Sequence, residues 1–112
     1  MEYNIRETRE AIQDVTDLAV YMIEEFSNHK AALDFINKYD AEVSSLRFFP
    51  FGYRGISIEY RGYEIRLKPF GTYNIFFIVD TKENIIVILK VLKDRQDWKS
   101  IIHSGNEYHD QQ

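Results

Sequence analysis

The first half of the chain repeats apolar residues every three or four positions, which is the period of an amphipathic helix. Thr8 is a predicted N-cap, and Glu10 stands in the first turn, where a carboxylate suits the helix dipole. The polar stretch at 27–29 separates two such helices, and so short a link predicts an antiparallel hairpin. The first stripe consists of Ile12, Val15, Leu18, Met22 and Phe26, and the second of Ala32, Phe35 (or Ile36), Tyr39, Val43 and Leu46.

The second half of the chain alternates apolar and polar residues with a period of two, as strands do. Along 63–68, this places Glu64, Arg66 and Lys68 on one side, which predicts a strand with an open, charged face. Residues 56–60 alternate as well and fit either an edge strand or an extended loop. Strands are predicted at 2–6, 63–68, 72–79 and 85–92, and turns at 69–71 and 80–84.

The apolar strand 85–92 contains one lysine and ends in a charged segment. If Ile85, Val87, Leu89 and Val91 face the helices, Lys90 shares the open face with Arg66 and Lys68. Asp94 or Asp97 then begins a last helix, for which we take Asp94 as the cap and Trp98 as the anchor on the sheet. These two residues are therefore assigned structural roles.

These elements predict one α+β domain over residues 1–105, followed by a flexible tail at 106–112. An N-terminal strand and the helical hairpin pack on an antiparallel sheet of four strands, or of five if 56–60 pairs. A short C-terminal helix completes the domain.

The composition excludes membrane-spanning proteins and proteins held together by disulfides or thiolate zinc sites. The chain has 112 residues, no cysteine and a net charge of −4, and no apolar stretch long enough to span a membrane. We expect a cytoplasmic protein without metal or cofactor. The charge is uneven, because residues 1–45 contain ten acids and four bases while 46–112 contain eight acids and ten bases. Two surfaces with different partners, or ordinary solvated faces, both fit this asymmetry.

The candidate chemistry lies in the basic side chains of the second half. Cations on an open sheet face can bind phosphates, or can simply be solvated. The three histidines show neither metal-ligand nor triad spacing. The candidate target-binding set is Arg61, Arg66, Lys68, Lys90, Lys93 and Arg95, with Tyr73 as a nearby phenol.

Two segments, "GYEIRLKPFGTYNIFFIVD" (62–80) and "VILKVLKDRQDW" (87–98), resemble the RelE/ParE superfamily of toxins from type II toxin–antitoxin systems. The resemblance covers residues 2 to about 102. The resemblance implies the fold of these toxins and a toxic activity that a cognate antitoxin neutralises. RelE-like members are ribosome-dependent endoribonucleases that cut messenger RNA, whereas ParE-like members poison DNA gyrase and need no catalytic set.

The sequence departs from the ribonuclease branch at several positions. Glu64 stands where that strand tends to be basic, and Asn74 follows Tyr73 where arginine is usual. The segment 93–98 contains no histidine or tyrosine to serve as acid or base. The ending of the last predicted strand, residues 91–98, is closer to ParE-like and plasmid-stabilisation members. If the chain is a ribonuclease, its catalytic candidates are Glu64, Arg66, Lys68 and Lys90.

We therefore predict a ParE-like, growth-inhibiting gyrase poison, with enzyme activity less favoured. A ribosome-dependent ribonuclease and a degenerate, non-toxic member that only binds its antitoxin stay open as alternatives. The expected partners are the antitoxin and either gyrase or the ribosome.

Overall fold

The computed structural model describes residues 2–111 and confirms the α+β class. Thr8 ends the first strand and caps the first helix, because its hydroxyl oxygen accepts the Ala11 N–H at 3.1 Å. The elements are β1 (Asn4–Thr8), α1 (Arg9–Phe26), α2 (His29–Ser45), a 3₁₀ turn (Pro50–Gly52), β2 (Gly55–Tyr60), β3 (Tyr63–Phe70), β4 (Tyr73–Asp80), β5 (Ile85–Lys93), α3 (Trp98–Ile101) and β6 (Asp110–Gln111).

The strands form one sheet in the order β2-β3-β4-β5-β1-β6. Strands β2 to β5 are an antiparallel meander, and β1 pairs parallel with β5. The segment 56–60 is thus an edge strand. The turn predicted at 69–71 lies further along the chain, because Pro69 and Phe70 still pair with β4. Proline is tolerated there because the pairs between β2 and β3 end at Arg66, so that β3 is an edge at this position.

Both faces of the sheet are covered, which corrects the expectation of an open face. On one face, α1 and α2 pack on a cluster that includes Ile75, Phe77, Ile86 and Ile88. On the other face, α3 and the C-terminal segment cover a second cluster built on Leu67, Phe76, Ile78, Ile85, Val87, Leu89 and Ile102. The strand β5 is therefore apolar on both sides, as strands in the middle of a covered sheet are.

The orientation predicted for β5 was wrong for most of its length. Ile85, Val87 and Leu89 face away from the helices, and only Val91 of the predicted set faces them. A bulge explains why Val91 differs from the other three, since Phe77 pairs with Ile88 while Phe76 pairs with Lys90. The extra residue of such a bulge shifts the alternation of every residue that follows it.

The helical stripes are confirmed in part. All five residues of the second stripe are buried, whereas the first stripe is buried or half-buried only at Val15, Leu18 and Met22. Ile12 and Phe26 are exposed, whereas the small residues Ala11 and Ala19 are buried against the core. Within residues 2–111, no helix is long and apolar enough to cross a membrane.

The end of the chain corrects the cap predicted for the last helix and shows how Trp98 contacts the sheet. The last helix is one turn that follows Asp97, so Asp94 is not its cap; the Asp94 carboxylate accepts the Arg95 N–H instead. Trp98 is only half-buried, with its ring 5.9 Å from that of Phe76. It therefore contacts the sheet from one side.

Residues 106–111, expected to be a flexible tail, pack against the domain. Tyr108 is only 4% exposed and stacks edge-to-face on Tyr60 at 5.1 Å. The His109 N–H and imidazole Nδ1 both lie within hydrogen-bond distance of the Glu10 carboxylate, at 2.8 and 2.7 Å. Burial raises the pKa of Glu10, but these contacts outweigh it and leave that pKa below its ordinary value.

Candidate target-binding groove

Lys68, predicted on an open face, is the most buried cation of the set at 3% exposure. Its side chain points toward α2, where the ammonium contacts the Glu42 carboxylate at 2.8 Å. It also donates to the Glu42 carbonyl at 2.8 Å and to the Ser45 hydroxyl at 2.5 Å. A buried ammonium needs such a complete set of acceptors. Lys68 is thus engaged inside the fold.

Lys90 also points toward the helical hairpin, so the face that it shares with Lys68 is covered by helices and is not the open face predicted from the sequence. It lies beside α1, where its ammonium is 2.9 Å from one oxygen of Asp14. The other oxygen accepts the Val91 N–H, also at 2.9 Å. Burial raises the pKa of Asp14, while both hydrogen bonds act to lower it. The pair joins α1 to β5 beyond the point where β1 ends.

Arg66 holds the loop that leaves α2. Its guanidinium donates to the Tyr53 carbonyl at 2.7 Å and lies 4.9 Å above the ring of Phe51. The ring of Tyr53 is in turn 5.3 Å from the Lys68 ammonium. Two cations of β3 therefore position the segment 51–53 against the sheet.

Beside this segment lies an open groove, which we call the central groove, with a volume of about 610 Å³. Its floor is Leu67, Pro69 and Asn74 on the middle strands, on the face away from the helical hairpin. One wall is the loop Gly52–Arg54, and the other is the charged segment after β5. That second wall consists of Asp94, Arg95, Gln96 and Trp98.

The charged segment has a defined shape. The Gln96 side-chain oxygen accepts the Lys93 N–H at 2.8 Å, and Arg95 adopts a left-handed backbone with φ 70°. A non-glycine residue in that region is uncommon and is held by its surroundings. Lys93 and Arg95 are both exposed, and Arg54 is exposed on the opposite wall. These side chains are free to contact a target.

The other predicted site residues lie away from the central groove. Arg61 is in the β2–β3 turn with its guanidinium 5.0 Å from the Tyr60 ring, roughly 20 Å along β3 from Pro69. The Glu64 carboxylate accepts the Ser57 N–H at the β2 irregularity. Tyr73 packs on Phe35 in the helix-facing core. The four catalytic candidates do not converge on one point.

Two residues of the groove were missed from the sequence. Tyr53 and Arg54 sit in a loop with no periodicity, and nothing in the pattern indicates that the loop faces the end of β5. A signal did exist, since an aromatic and a cation stand between two glycines in a loop, where binding residues are common.

Comparison with known proteins decides the family. Residues 5–98 match the family model described as "ParE toxin of type II toxin-antitoxin system, parDE". The chain belongs to the ParE toxin family. The match spans α1 to the start of α3 and includes both walls of the central groove. Among curated protein sequences, none matches the chain.

Solved structures share the ParE fold at low sequence identity. The chromosomal ParDE TA system from P. aeruginosa contains a chain with a TM-score of 0.66 and 18% identity, covering 84% of this chain and 98% of that one. The toxin–antitoxin complex RelBE2 from Mycobacterium tuberculosis gives a TM-score of 0.52 and 18% identity, covering 83% and 99%. The ParE and RelE branches are thus both similar in architecture.

Proposed function

We propose that this ParE-family chain inhibits growth by binding DNA gyrase in the cytoplasm, without cutting RNA, and that a cognate antitoxin neutralises it. A plasmid-stabilisation role would follow from such a pair. The observation that carries the proposal is that the cations on the strands are already paired within the fold. Lys68, Lys90 and Arg66 each have an internal partner, namely Glu42, Asp14 and the Tyr53 carbonyl.

A phosphodiester cleavage site needs cations where charge accumulates and proton-transfer groups nearby. Using Lys68 or Lys90 in that way would leave a carboxylate unpaired in a partly buried site. Arg54 and Arg95 line the central groove and are exposed, and Lys93 is exposed at the end of β5, next to the charged wall. They suit electrostatic contact with a protein target, which requires no proton transfer.

Co-expression tests the toxin–antitoxin part of the proposal. We expect the chain alone to arrest growth, and the product of the neighbouring reading frame to restore growth and to co-elute with it at micromolar concentration. Separate elution would contradict the assignment. A complex without any growth arrest by the chain alone would instead support the degenerate, antitoxin-binding alternative.

A ribosome-dependent ribonuclease is the second candidate, favoured by one observation. Tyr53 and Asp94 line the central groove together with Arg54 and Arg95, so a phenol and a carboxylate accompany two guanidinium groups. These groups could serve as acid, base and charge stabilisers.

We expect no codon-position cleavage of messenger RNA when the purified chain is added to a translating extract. Cleavage that disappears in Tyr53→Phe or Arg54→Ala, with the fold intact, would establish the second candidate. Cleavage lost instead in Glu64→Ala or Arg66→Ala would point to the strand residues first predicted from the sequence.

A further inference from the structure

Both walls of the central groove are tied to the sheet by backbone hydrogen bonds. On the loop wall, the Arg54 carbonyl accepts the Leu67 N–H at 3.0 Å. On the charged wall, the Asp94 N–H donates to the Thr72 carbonyl in the β3–β4 turn. The groove is therefore formed before a target arrives, and a preformed site loses less conformational entropy on binding than a mobile one.

Two guanidinium groups line the groove, one from each wall. Arg54 and Arg95 are both exposed, and neither forms an ion pair with another residue within 2–111. A guanidinium presents a rigid fork of N–H donors that matches the two oxygens of a carboxylate, whereas the ammonium of a lysine acts as a point charge. An anionic group that enters the groove can thus be bound from both sides.

The acid in the lining indicates which kind of anion enters. The Asp94 carboxylate is exposed on the same wall as Arg95 and accepts its backbone N–H at 3.1 Å. A nucleic-acid strand carries a phosphate at every nucleotide, so it would place negative charge against Asp94 as well as against the arginines. A protein segment can present a carboxylate to the arginines and a backbone N–H to Asp94. The mixed lining therefore favours a protein occupant.

The floor of the groove favours a loop over an added strand. The pairs between β2 and β3 end at Arg66, so the edge of β3 beyond that residue lies open in the groove. Alternate residues of an antiparallel strand turn their N–H groups outward. Here these residues are Leu67, whose N–H already donates to the Arg54 carbonyl, and Pro69, which has no N–H. An occupant must therefore bind mainly through its side chains.

The apolar part of the lining suits a side chain next to the bound carboxylate. Leu67 and Pro69 lie on the floor, and the ring of Trp98 is only half-buried, tilted on Phe76 at 5.9 Å. Tryptophan and arginine are the residue types that most often carry the binding energy of a protein interface. The volume of about 610 Å³ is within the range of pockets that enclose a small group of atoms.

We propose that the central groove binds a short loop of a gyrase protein subunit, with an acidic side chain of that loop held between Arg54 and Arg95 and a neighbouring apolar side chain packed on Trp98. The inference rests on the gyrase-binding function proposed above. It adds that the groove contacts protein and not the DNA that gyrase carries, and that the geometry of the two guanidinium groups matters as well as their charge.

Exchange of both arginines for lysine separates geometry from charge. Arg54→Lys with Arg95→Lys keeps both charges but removes the bidentate contacts, so this variant should bind purified gyrase about tenfold more weakly than the parent. The control, Arg6→Lys with Arg9→Lys, makes the same exchange outside the groove lining and should keep the affinity of the parent. Biolayer interferometry measures all three proteins. Equal affinity of the groove variant and the parent would overturn the proposal.

Photo-crosslinking identifies what occupies the groove. Lys99 is exposed and outside the lining, and its ammonium lies 5.7 Å from the centre of the Trp98 ring. With p-benzoylphenylalanine in place of Lys99, irradiation should crosslink the chain to a gyrase protein subunit both with and without plasmid DNA, and the crosslinked segment should contain Asp or Glu. The same group in place of Lys82, in the β4–β5 turn, should give no crosslink to that segment. Crosslinks to DNA alone, or to a protein segment without an acid, would overturn the proposal.

These results differ from those expected if the proposed function fails. A parent protein that binds no gyrase, with or without DNA, would remove the proposed function and this inference with it. A parent that binds gyrase, together with a groove variant that binds equally well, would leave gyrase binding in place and overturn only the carboxylate contact.

Discussion

Replacing Glu42 by alanine is expected to lower the free energy of unfolding by roughly 3 kcal/mol, the lower end of the range for breaking a buried ion pair. The cause is Lys68, whose ammonium is buried and would lose its only carboxylate partner among the described residues. The estimate is at the lower end because Glu42 is partly exposed and because the Glu42 carbonyl and Ser45 hydroxyl would still accept from Lys68.

A matched variant separates lost charge from lost packing. Lys68→Met combined with Glu42→Gln removes both charges at similar volume, and its stability should stay within about 1 kcal/mol of the parent. Urea unfolding followed by tryptophan fluorescence measures all three proteins. A loss below about 1 kcal/mol in Glu42→Ala would mean that Lys68 is solvated, and would restore it as a candidate target-binding residue.

Reversing the charge of Arg95, which lines the central groove, and of its exposed neighbour Lys93 should abolish growth inhibition. Lys93→Glu with Arg95→Glu puts two carboxylates where a complementary surface meets cations, and like charges in contact cost several kcal/mol. Target binding should weaken roughly a hundredfold or more. Plating efficiency during induced expression measures the effect.

The control carries the same charge change at other exposed lysines. Lys30→Glu with Lys82→Glu alters α2 and the β4–β5 turn, both outside the lining of the central groove. This variant should stay toxic, and both variants should still bind the antitoxin. If the two double variants lose toxicity equally, net charge decides the effect and the central groove has no special role.

The sequence predicted the helices well because their period is local. The second stripe, from Ala32 to Leu46, is buried at every position. The first stripe fails at Ile12 and Phe26, since contact between helix and sheet is made by Ala11 and Ala19. Small residues let the helix come closest to the sheet, but a pattern based on large apolar residues does not include them.

The sheet shows what alternation leaves undetermined. Alternation tells which residues share a face, but it does not tell which face meets the helices. Lys68 looked solvent-exposed for that reason, and its partner Glu42 lies on α2, 26 residues earlier. The bulge in β5 then shifted the faces near Lys90. Contacts between residues far apart in the sequence determine which face meets the helices, where Lys68 points and where β5 bulges. A single sequence does not show such contacts.

The candidate site was predicted in part. The charged segment after β5 was selected from the sequence, and the structure places Lys93 and Arg95 on the surface. The opposite wall was missed because Arg54 reaches the groove only through the fold of a loop. The C-terminal segment was missed because Tyr108 is one aromatic among polar residues, and its burial depends on Tyr60 far along the chain.

The most direct test of a gyrase-binding, non-nuclease toxin is supercoiling of relaxed plasmid DNA by purified gyrase in the presence of the purified chain. Inhibition or trapped DNA cleavage should appear with the parent protein, vanish on adding the antitoxin, and be absent with Lys93→Glu/Arg95→Glu. If gyrase keeps its full supercoiling activity at micromolar concentrations of the chain, while the same chain arrests growth in cells, gyrase is not its target.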